Sequence, residues 1–490
     1  MNTVLAFNNA RHWISVHTIH NSGISVNSQN LRPYPEVTGY FIPTLLDWRE
    51  TDRAKSYGRW LLSCQHNEGC WGDANANEPY AFDTGQIIKG LLALAKHTKT
   101  SEWDGAISRA CDWMCECITP SGKPSVPDVK GWGEAIPLGI LLYAFQAVRE
   151  AGEFYGNYRW VETMDKSISW FLNQNSLTNF THLSHFHAYI LEALCDLGFQ
   201  DRAREGMKIV ENLQRANGSV PGFPHVRWVC STGLFQYAIV WYKLGDRIRG
   251  DKAFSYATAL QNKSGGWYGS YGWFAKYFPK AEIAWAVKYF LDALKLRLES
   301  NFEYEADIFS DYIDKHDGRY ILVSDTIKVN NPLTILDAGC GKGRYLRNLL
   351  VDFPNKKYFA VDVSQKVMNS IPKPIRTSKG SLLSIPHDDN TFDFVYSIEA
   401  LEHAVNIDAA LTELCRITKP GGTLLIIDKN IEELGKFQLP DWEQWFDTAD
   451  LRYQLEKIGL EVKTIESVPY EGRTDKLFTA WIATKPPRIN

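Results

Sequence analysis

Two patterns of apolar and polar positions divide the chain. Over 43–298 the apolar positions recur at helical spacing with almost no strand-type alternation, which predicts an all-α region. One helix type carries a single apolar stripe and ends in a Gln- or Gly-containing tail: RWLLSCQHNEGCWG (59–72), DWMCECITPSGKP (112–124), SWFLNQNSL (169–177), IVENLQRANGSV (209–220) and ATALQNKSGGWYG (257–269). The tails recur roughly every 40 to 57 residues, the scale of a structural repeat. A second type is apolar nearly all round, at 81–97, 134–152, 186–198, 228–244 and 281–298. A helix of the second kind is buried and one of the first kind packs outside it, so the alternation predicts an inner and an outer ring. Ten helices are counted, and 302–316 offers an eleventh, which gives five or six helix pairs.

Beyond 314–331, which reads as leading out of helix, the pattern changes. The runs TILDAG, YFAVDV, FDFVYS and TLLIID and the region 463–467 alternate with helical stretches, which predicts a mostly parallel sheet covered by helices on both faces. LFTAWIATK follows too closely for another crossover helix and predicts a terminal antiparallel strand. The resulting division is an arm over 1–42, the helical region over 43–301, a linker and cover helix over 302–331, and an α/β domain over 332–490.

Composition narrows the partners. A chain of 490 residues exceeds what one core usually serves, in keeping with more than one domain. The net charge of −4 and the lack of a basic stripe speak against a nucleic-acid partner. No apolar run approaches a membrane span, and the first residues lack a signal pattern. Nine Cys, an odd number set mostly in helical patterns, suit reduced thiols. A soluble cytoplasmic protein is expected.

LDAGCGKGRYL (336–346) sets an acidic residue and three glycines between a strand and a helix, where backbone passes close to a bulky ligand and a helix N-terminus offers free N–H groups. The spacing is Gly339-x-Gly341-x-Gly343 after Asp337, not the G-x-G-x-x-G of dinucleotide sites. A second strand ends in Val361-Asp362, SLLSIPHDDNTFDFVYS (381–397) contains P-x-x-D-x-x-F-D, and EALEHAVNIDAALTELCRITKPGGTLLIID (399–428) follows. Four motifs in this order resemble the class I S-adenosylmethionine-dependent methyltransferases. The resemblance implies a Rossmann-like domain with a seven-stranded sheet and S-adenosyl-L-methionine as cofactor. It further implies that Asp337, Gly339, Gly341 and Gly343 form the cofactor loop, with Gly339 touching the methionine part, and that Asp362 takes both ribose hydroxyls. The resemblance also implies that Glu399 or Ala400 lies near the sulfonium. Ser381 stands where relatives have an Asp for the adenine amine, so its hydroxyl and the Leu382 N–H would serve there.

Methyl transfer from a sulfonium is an in-line displacement, and a hydroxyl acceptor gains from a base. His403, just after the fourth strand, is the first candidate. Asp428 and Lys429 end the fifth strand on the edge where open α/β sheets place their chemistry. The aromatic WEQWF (442–446) reads as a lid. No set of metal ligands is read in this domain, which points away from the magnesium-dependent catechol type.

In the helical half, Gln65-x3-Gly69-x-Trp71 and Gln261-x3-Gly265-x-Trp267 resemble the Gln-Trp repeats of triterpene cyclases, where Gln tethers a helix end. The helical pattern as a whole resembles the (α/α)5–6 toroids of terpenoid cyclases, polysaccharide lyases and epimerases. The acid motif DxDD of the cyclases is absent from this half. Such a fold holds glycans or isoprenoids in an aromatic-lined bowl, and the chain has 17 Trp. Candidate substrate contacts are Asp83, Trp132, His185, His187, Arg227, Trp228, Trp267 and Glu282, with His182 beside the other two histidines at the mouth. Cys111, Cys115 and Cys117 have helical spacing but no His partner, which makes them poor metal ligands. The expected function is O-methylation of a sugar of a surface polysaccharide or its precursor, with the toroid recognising or also processing the glycan. The alternatives are an isoprenoid, polyketide or lipid-like acceptor, or a toroid that serves as a protein-binding scaffold.

Overall fold

The computed structural model describes every residue except 1, 21, 74–77, 127–135, 436–438 and 488–490. The chain divides into two compact units, Thr3–Leu298 and Glu299–Asn490.

The first unit is helical: α1 (Thr3–His17), α2 (Pro35–Asp47), α3 (Thr51–Ser63), α4 (Ala81–Thr98), α5 (Asp104–Glu116), α6 (Leu141–Tyr155), α7 (Tyr158–Leu172), α8 (Ser184–Asp196), α9 (Gln200–Leu213), α10 (Ser231–Lys243), α11 (Arg247–Thr258) and α12 (Ala284–Tyr304), whose last residues pass the division. A short hairpin joins β1 (Ser25–Asn27) to β2 (Asn30–Pro33), and β3 (Val229–Cys230) pairs with the distant β4 (Ser270–Tyr271). The apolar helices pack in succession, α2 on α4, α4 on α6, α6 on α8 and α8 on α10. From α12 the contacts return to α2, where Trp285 Nε1 donates to Glu36 Oε2 at 3.1 Å and Thr44 Oγ1 to Asp292 Oδ1 at 2.7 Å. The single-striped helices α3, α5, α7, α9 and α11 each lie on the buried helix before them.

The repeated tails are joints between successive outer helices. Gln261 Nε2 donates to Gly265 O at 3.0 Å and to Ala6 O of α1 at 2.9 Å, while Trp267 Nε1 donates to Ala257 O at 2.8 Å. The tail at Gln65 repeats this geometry against Ala106 of α5, at 2.8 and 2.9 Å, with Trp71 on Leu61 O at 2.9 Å. Glycine is required in the joint because Gly265 has φ 95° and a β-carbon there would lie 2.1 Å from Asn9 O.

Several elements differ from the sequence reading. The stretch read as an arm holds α1, whose Ala6, Phe7, Ala10, Trp13 and Ile14 are fully buried, and most of α2, with Pro43 inside that helix. Helix α1 has no Gln–Gly tail of its own, so the repeat does not flag it. Helix α10 starts at Ser231 rather than 228 because Val229 and Cys230 pair with β4. The expected helix over 134–152 begins at Leu141, after a 3-10 turn Leu138–Ile140, and its first two residues lie outside the described ones.

The second unit opens with α13 (Gly318–Asn330), in the stretch read as leading out of helix. Asp317 caps it by accepting from Arg319 N, and Asn331 ends it in the left-handed region. The helix expected over 302–316 is only the end of α12 and a 3-10 turn, Glu305–Ile308. There follow β5 (Thr334–Ala338), α14 (Arg344–Asp352), β6 (Lys357–Asp362), α15 (Gln365–Met368), β7 (Arg376–Lys379), β8 (Phe392–Ile398), α16 (Ile407–Ile417), β9 (Thr418–Lys429), α17 (Thr448–Lys457), β10 (Glu461–Ile465) and β11 (Phe478–Thr484). They form one seven-stranded sheet in the order β10-β11-β9-β8-β5-β6-β7. Only β11 runs antiparallel to its neighbours, between β9 and β10. Consecutive strand residues face opposite sides, so Ile335 joins the core under Tyr320, Val323 and Leu346, while Leu336 joins that under Leu411 and Leu414.

Candidate cofactor and acceptor site

The loop between β5 and α14 hangs on the end of β6. Gly339 N and Cys340 N both donate to Val361 O, at 2.8 and 3.1 Å, and Gly341 N donates to Asp362 Oδ2 at 2.9 Å. Asp362 Oδ1 accepts from Ser364 N at 3.0 Å. Gly343 caps α14 with φ 72°. Below the loop, Asp337 is buried and accepts from Tyr396 Oη at 3.0 Å, and burial pushes its carboxyl up to about 7. Beyond β7, Ser381 Oγ accepts from Leu383 N at 3.2 Å, and Leu382 is buried beside it.

Glu399 leaves β8 with φ 53°. Its Oε1 accepts from Arg319 Nη1 at 2.6 Å and Arg344 Nη2 at 2.5 Å. Burial opposes its charge, but Arg344 and Arg319 outweigh this and hold the carboxyl below its usual range. Arg319 is in turn forked onto Asp317, Nε to Oδ1 at 2.9 Å and Nη2 to Oδ2 at 2.8 Å, with both residues buried.

A second charged cluster sits where β8 and β9 end. Glu402 and His403 occupy the 3-10 turn Leu401–His403. Lys429 Nζ donates to Glu402 Oε1 at 2.7 Å and Glu443 Oε1 at 3.1 Å, and His403 Nε2 lies 3.4 Å from Glu402 Oε1. Asp428 is fully buried and accepts from Glu402 N at 3.1 Å. Burial pushes the His403 imidazole down to about 4 and raises the carboxyls of Glu402 and Asp428. The WEQWF segment is tied in: Gln444 N donates to Glu402 O and Phe446 N to Lys429 O, both at 2.9 Å, and Trp442, Trp445 and Phe446 are buried.

Residues 336–426 match the family model described as a methyltransferase domain. Sterol 24-C-methyltransferase erg6 of Schizosaccharomyces pombe is 32% identical over 127 residues, 24% of this chain and 33% of that protein. Malonyl-[acyl-carrier protein] O-methyltransferase of Dechloromonas aromatica is 28% identical over 132 residues, 27% and 50% of the two chains. Among solved structures, a SAM dependent methyltransferase from Aquifex aeolicus is 27% identical, with a TM-score of 0.29, over 34% of this chain and 88% of that one. The second unit contains a class I S-adenosylmethionine-dependent methyltransferase domain. S-adenosylmethionine is its cofactor. The match covers between 28% and 60% of the length of the curated relatives.

Within the methyltransferase domain, the fold brings Asp337, Gly339, Gly341, Gly343 and Asp362 together at one loop, and His403, Asp428 and Lys429 into a second group. Arg319, Arg344, Glu402 and Glu443 escape the sequence reading. Arg319 carries no motif, Arg344 lies in the 336–346 motif but is not one of its acidic or glycine positions, and Glu443 lies about 40 residues beyond His403 inside a run notable only for its aromatics. Where the sequence yields no metal-ligand set, the fold gathers one: ligand atoms of Glu402, His403 and Glu443 all lie within 4.8 Å of one another.

The helical unit scatters its candidates. Asp83 is buried on α4, accepts from Tyr34 Oη at 3.0 Å, and is pushed up by burial. His185 and His187 do not share a target: the first bonds Gln236 Oε1 at 2.6 Å, the second Tyr237 Oη at 2.9 Å and Thr178 O at 3.0 Å. Burial pushes both imidazoles down to about 4. His182 instead bonds its neighbour Thr181 Oγ1 at 3.0 Å. Trp267 belongs to the tail joint. Glu282 takes Trp13 Nε1 at 2.7 Å, Asn262 Nδ2 at 2.9 Å and Ser264 Oγ, so its contacts are internal. Trp228 is buried and Arg227 exposed; Trp132 lies outside the described residues. Sequence reasoning missed Glu36, buried on α2 and held by Trp285, because it falls in the stretch read as an arm.

Proposed function

We propose that the protein transfers a methyl group from S-adenosylmethionine to a hydroxyl of a small-molecule acceptor, a sugar of a surface polysaccharide or its precursor. The reading that the helical unit is an (α/α)5–6 toroid which recognises or processes that glycan belongs to the same proposal. The ring of contacts from α2 through α12 back to α2 and the matching Gln–Trp joints support it.

The cofactor fits the residues present. Each oxygen of Asp362 holds one backbone N–H and keeps a lone pair for a ribose hydroxyl. A β-carbon on Gly341 would meet nothing within 4 Å, so the space over the loop is open. The Ser381 hydroxyl, although it accepts from Leu383 N, keeps a second lone pair for the adenine amine. Glu399, clamped by two guanidinia, lies on the side assigned to the methionine part. When bound, the cofactor supplies an electrophilic methyl on a sulfonium.

The observation that carries the O-methyl reading is the group at the ends of β8 and β9. His403 is neutral at physiological pH and so has a lone pair for a hydroxyl proton. Glu402 orients its ring, and Lys429 is held by Glu402 and Glu443 beside it. A hydroxyl acceptor, which must lose its proton as the methyl arrives, suits this arrangement. A second reading, methylation of an isoprenoid or other lipid-like molecule, draws on the sterol methyltransferase relatives and on the Tyr40, Tyr143, Tyr189 and Tyr289 rings that meet inside the helical unit.

The test is methyl transfer from labelled S-adenosylmethionine to a panel of oligosaccharides and isoprenoid alcohols, after binding of S-adenosylhomocysteine has been measured by calorimetry. An O-methyl sugar product, with kcat lowered about 100-fold or more in His403→Ala, is expected. Label on an isoprenoid carbon, with no sugar product, would replace this reading by the second.

A further inference from the structure

We propose that Glu402, His403 and Glu443 bind one divalent transition-metal ion beside the acceptor position. The three ligand atoms lie within 4.8 Å of one another. Bonds of about 2.0–2.2 Å to nitrogen and carboxylate oxygen put ligand atoms roughly 3.0–3.6 Å apart, so side-chain shifts of about 1–2 Å close the site.

The frame that holds these side chains is already built. Glu402 and His403 share one turn, and the segment carrying Glu443 is pinned to it through Gln444 N on Glu402 O at 2.9 Å and Gln444 Nε2 on Ala404 O at 3.1 Å. Trp445 Nε1 donates to Glu443 Oε1 at 2.7 Å, and the Phe302 ring meets that of His403 edge-on at 5.2 Å. Such outer contacts are what fix ligand orientation in metal sites.

Two further observations point to a ligand. Glu402 is 2% exposed and its Oε2 receives no N–H, its carboxyl meeting that of Asp428 instead, and the buried Nδ1 of His403 has no hydrogen-bond partner. Buried polar atoms are rarely left unpaired without cause. Three carboxyl groups, those of Glu402, Asp428 and Glu443, also meet around the ammonium of Lys429, while Arg319 and Arg344 are committed to Glu399. Crowded buried carboxyls are costly, and a divalent cation offsets that cost. Two carboxylates and an imidazole suit Zn²⁺, Mn²⁺ or Fe²⁺ better than Ca²⁺, which prefers all-oxygen sets.

The use of the ion rests on the methyltransferase reading; its binding does not. With the ion bound, His403 would be a ligand and no longer the base of the ion-free site, and an acceptor hydroxyl on the ion, made more acidic by it, would give its proton to bulk water. Lys429 occupies the side of the carboxylates that the ion approaches, so the two cations compete.

The experiment takes the full chain after chelator treatment, titrates it with Mn²⁺ by electron paramagnetic resonance and with Zn²⁺ by calorimetry, and titrates the same sample with S-adenosylhomocysteine. One equivalent of ion is expected, with affinity at least tenfold weaker in Glu402→Gln and His403→Ala and several-fold tighter in Lys429→Met. Wild-type protein that binds S-adenosylhomocysteine but neither ion overturns the site, as does ion binding that all three substitutions leave unchanged. Ion binding without S-adenosylhomocysteine binding upholds the site and removes the methyltransferase reading instead. The wild-type titration decides the matter even if a variant fails to fold.

Discussion

A β-carbon placed on Gly339 would lie 2.3 Å from that of Ala400. The cofactor loop and the exit of β8 are thus in direct contact, and the loop also has φ 85° at Gly339. Gly339→Ala must push the two apart and pay for a left-handed alanine, about 1 kcal/mol from the backbone alone. S-adenosylhomocysteine affinity is expected to fall at least tenfold, as calorimetry would show, with a lower melting temperature.

Asp362 ties two backbone N–H groups as well as facing the open space of the loop. Asp362→Ala is expected to weaken S-adenosylhomocysteine binding tenfold or more while the circular dichroism spectrum stays native. Asp362→Asn, which retains one acceptor oxygen, should fall between the two. Equal affinity in all three proteins would remove the ribose assignment.

Asp337 gives the domain a pH dependence of definite sign. Its folded carboxyl is raised to about 7, well above its unfolded value, so the folded state holds the proton more tightly. Its effect on stability is absent at low pH and grows unfavourable as pH rises from about 4 to about 7. Asp337→Asn should flatten that decline, by roughly 2 kcal/mol between pH 5 and pH 8 in urea unfolding. A decline as steep as in the parent would place the raised group elsewhere.

Arg319 is buried between Asp317 and Glu399, and its guanidinium lies 4.9 Å from the Phe478 ring centroid. Arg319→Met strands the buried Asp317 carboxylate and leaves Glu399 with Arg344 as its partner. A loss of about 3–5 kcal/mol in the unfolding of the second unit is expected. Glu399→Gln, which leaves Arg319 its Asp317 partner, should cost less.

Local pattern revealed what depends on neighbours in sequence. The glycine spacing at 339–343, Asp362 at a strand end and the Gln–Gly–Trp tails are each readable because the motif and the element that carries it are contiguous. The polar edge strand β7, RTSK, shows no apolar run, since an edge strand needs little burial. Helix α13 hides behind Asp and Gly residues that resemble a loop until the Asp317 cap is seen. The acceptor group depends on long-range pairing: Glu443 meets Lys429 and Glu402 only because Phe446 pairs with the end of β9. Glu36 and Trp285 are 249 residues apart, and no periodicity could join them.

The Gln261 joint offers a test of the repeat. Gln261→Ala removes two hydrogen bonds to backbone oxygens, Gly265 O and Ala6 O, and should cost about 1–2 kcal/mol. Proteolysis near α1 should become faster, since that helix loses its tie to the end of α11.

That tie also sets an order of events during synthesis. Helix α1 is made first, but Gln261 and Glu282, which receive it, are 255 and 269 residues downstream. Until the ribosome has passed them, Trp48 can meet Phe7, but Trp13 and the Ala6 carbonyl lack their partners. A contact this remote in sequence slows folding and leaves apolar surface open to wrong partners. The nascent chain should therefore depend on a chaperone that holds α1 through most of translation.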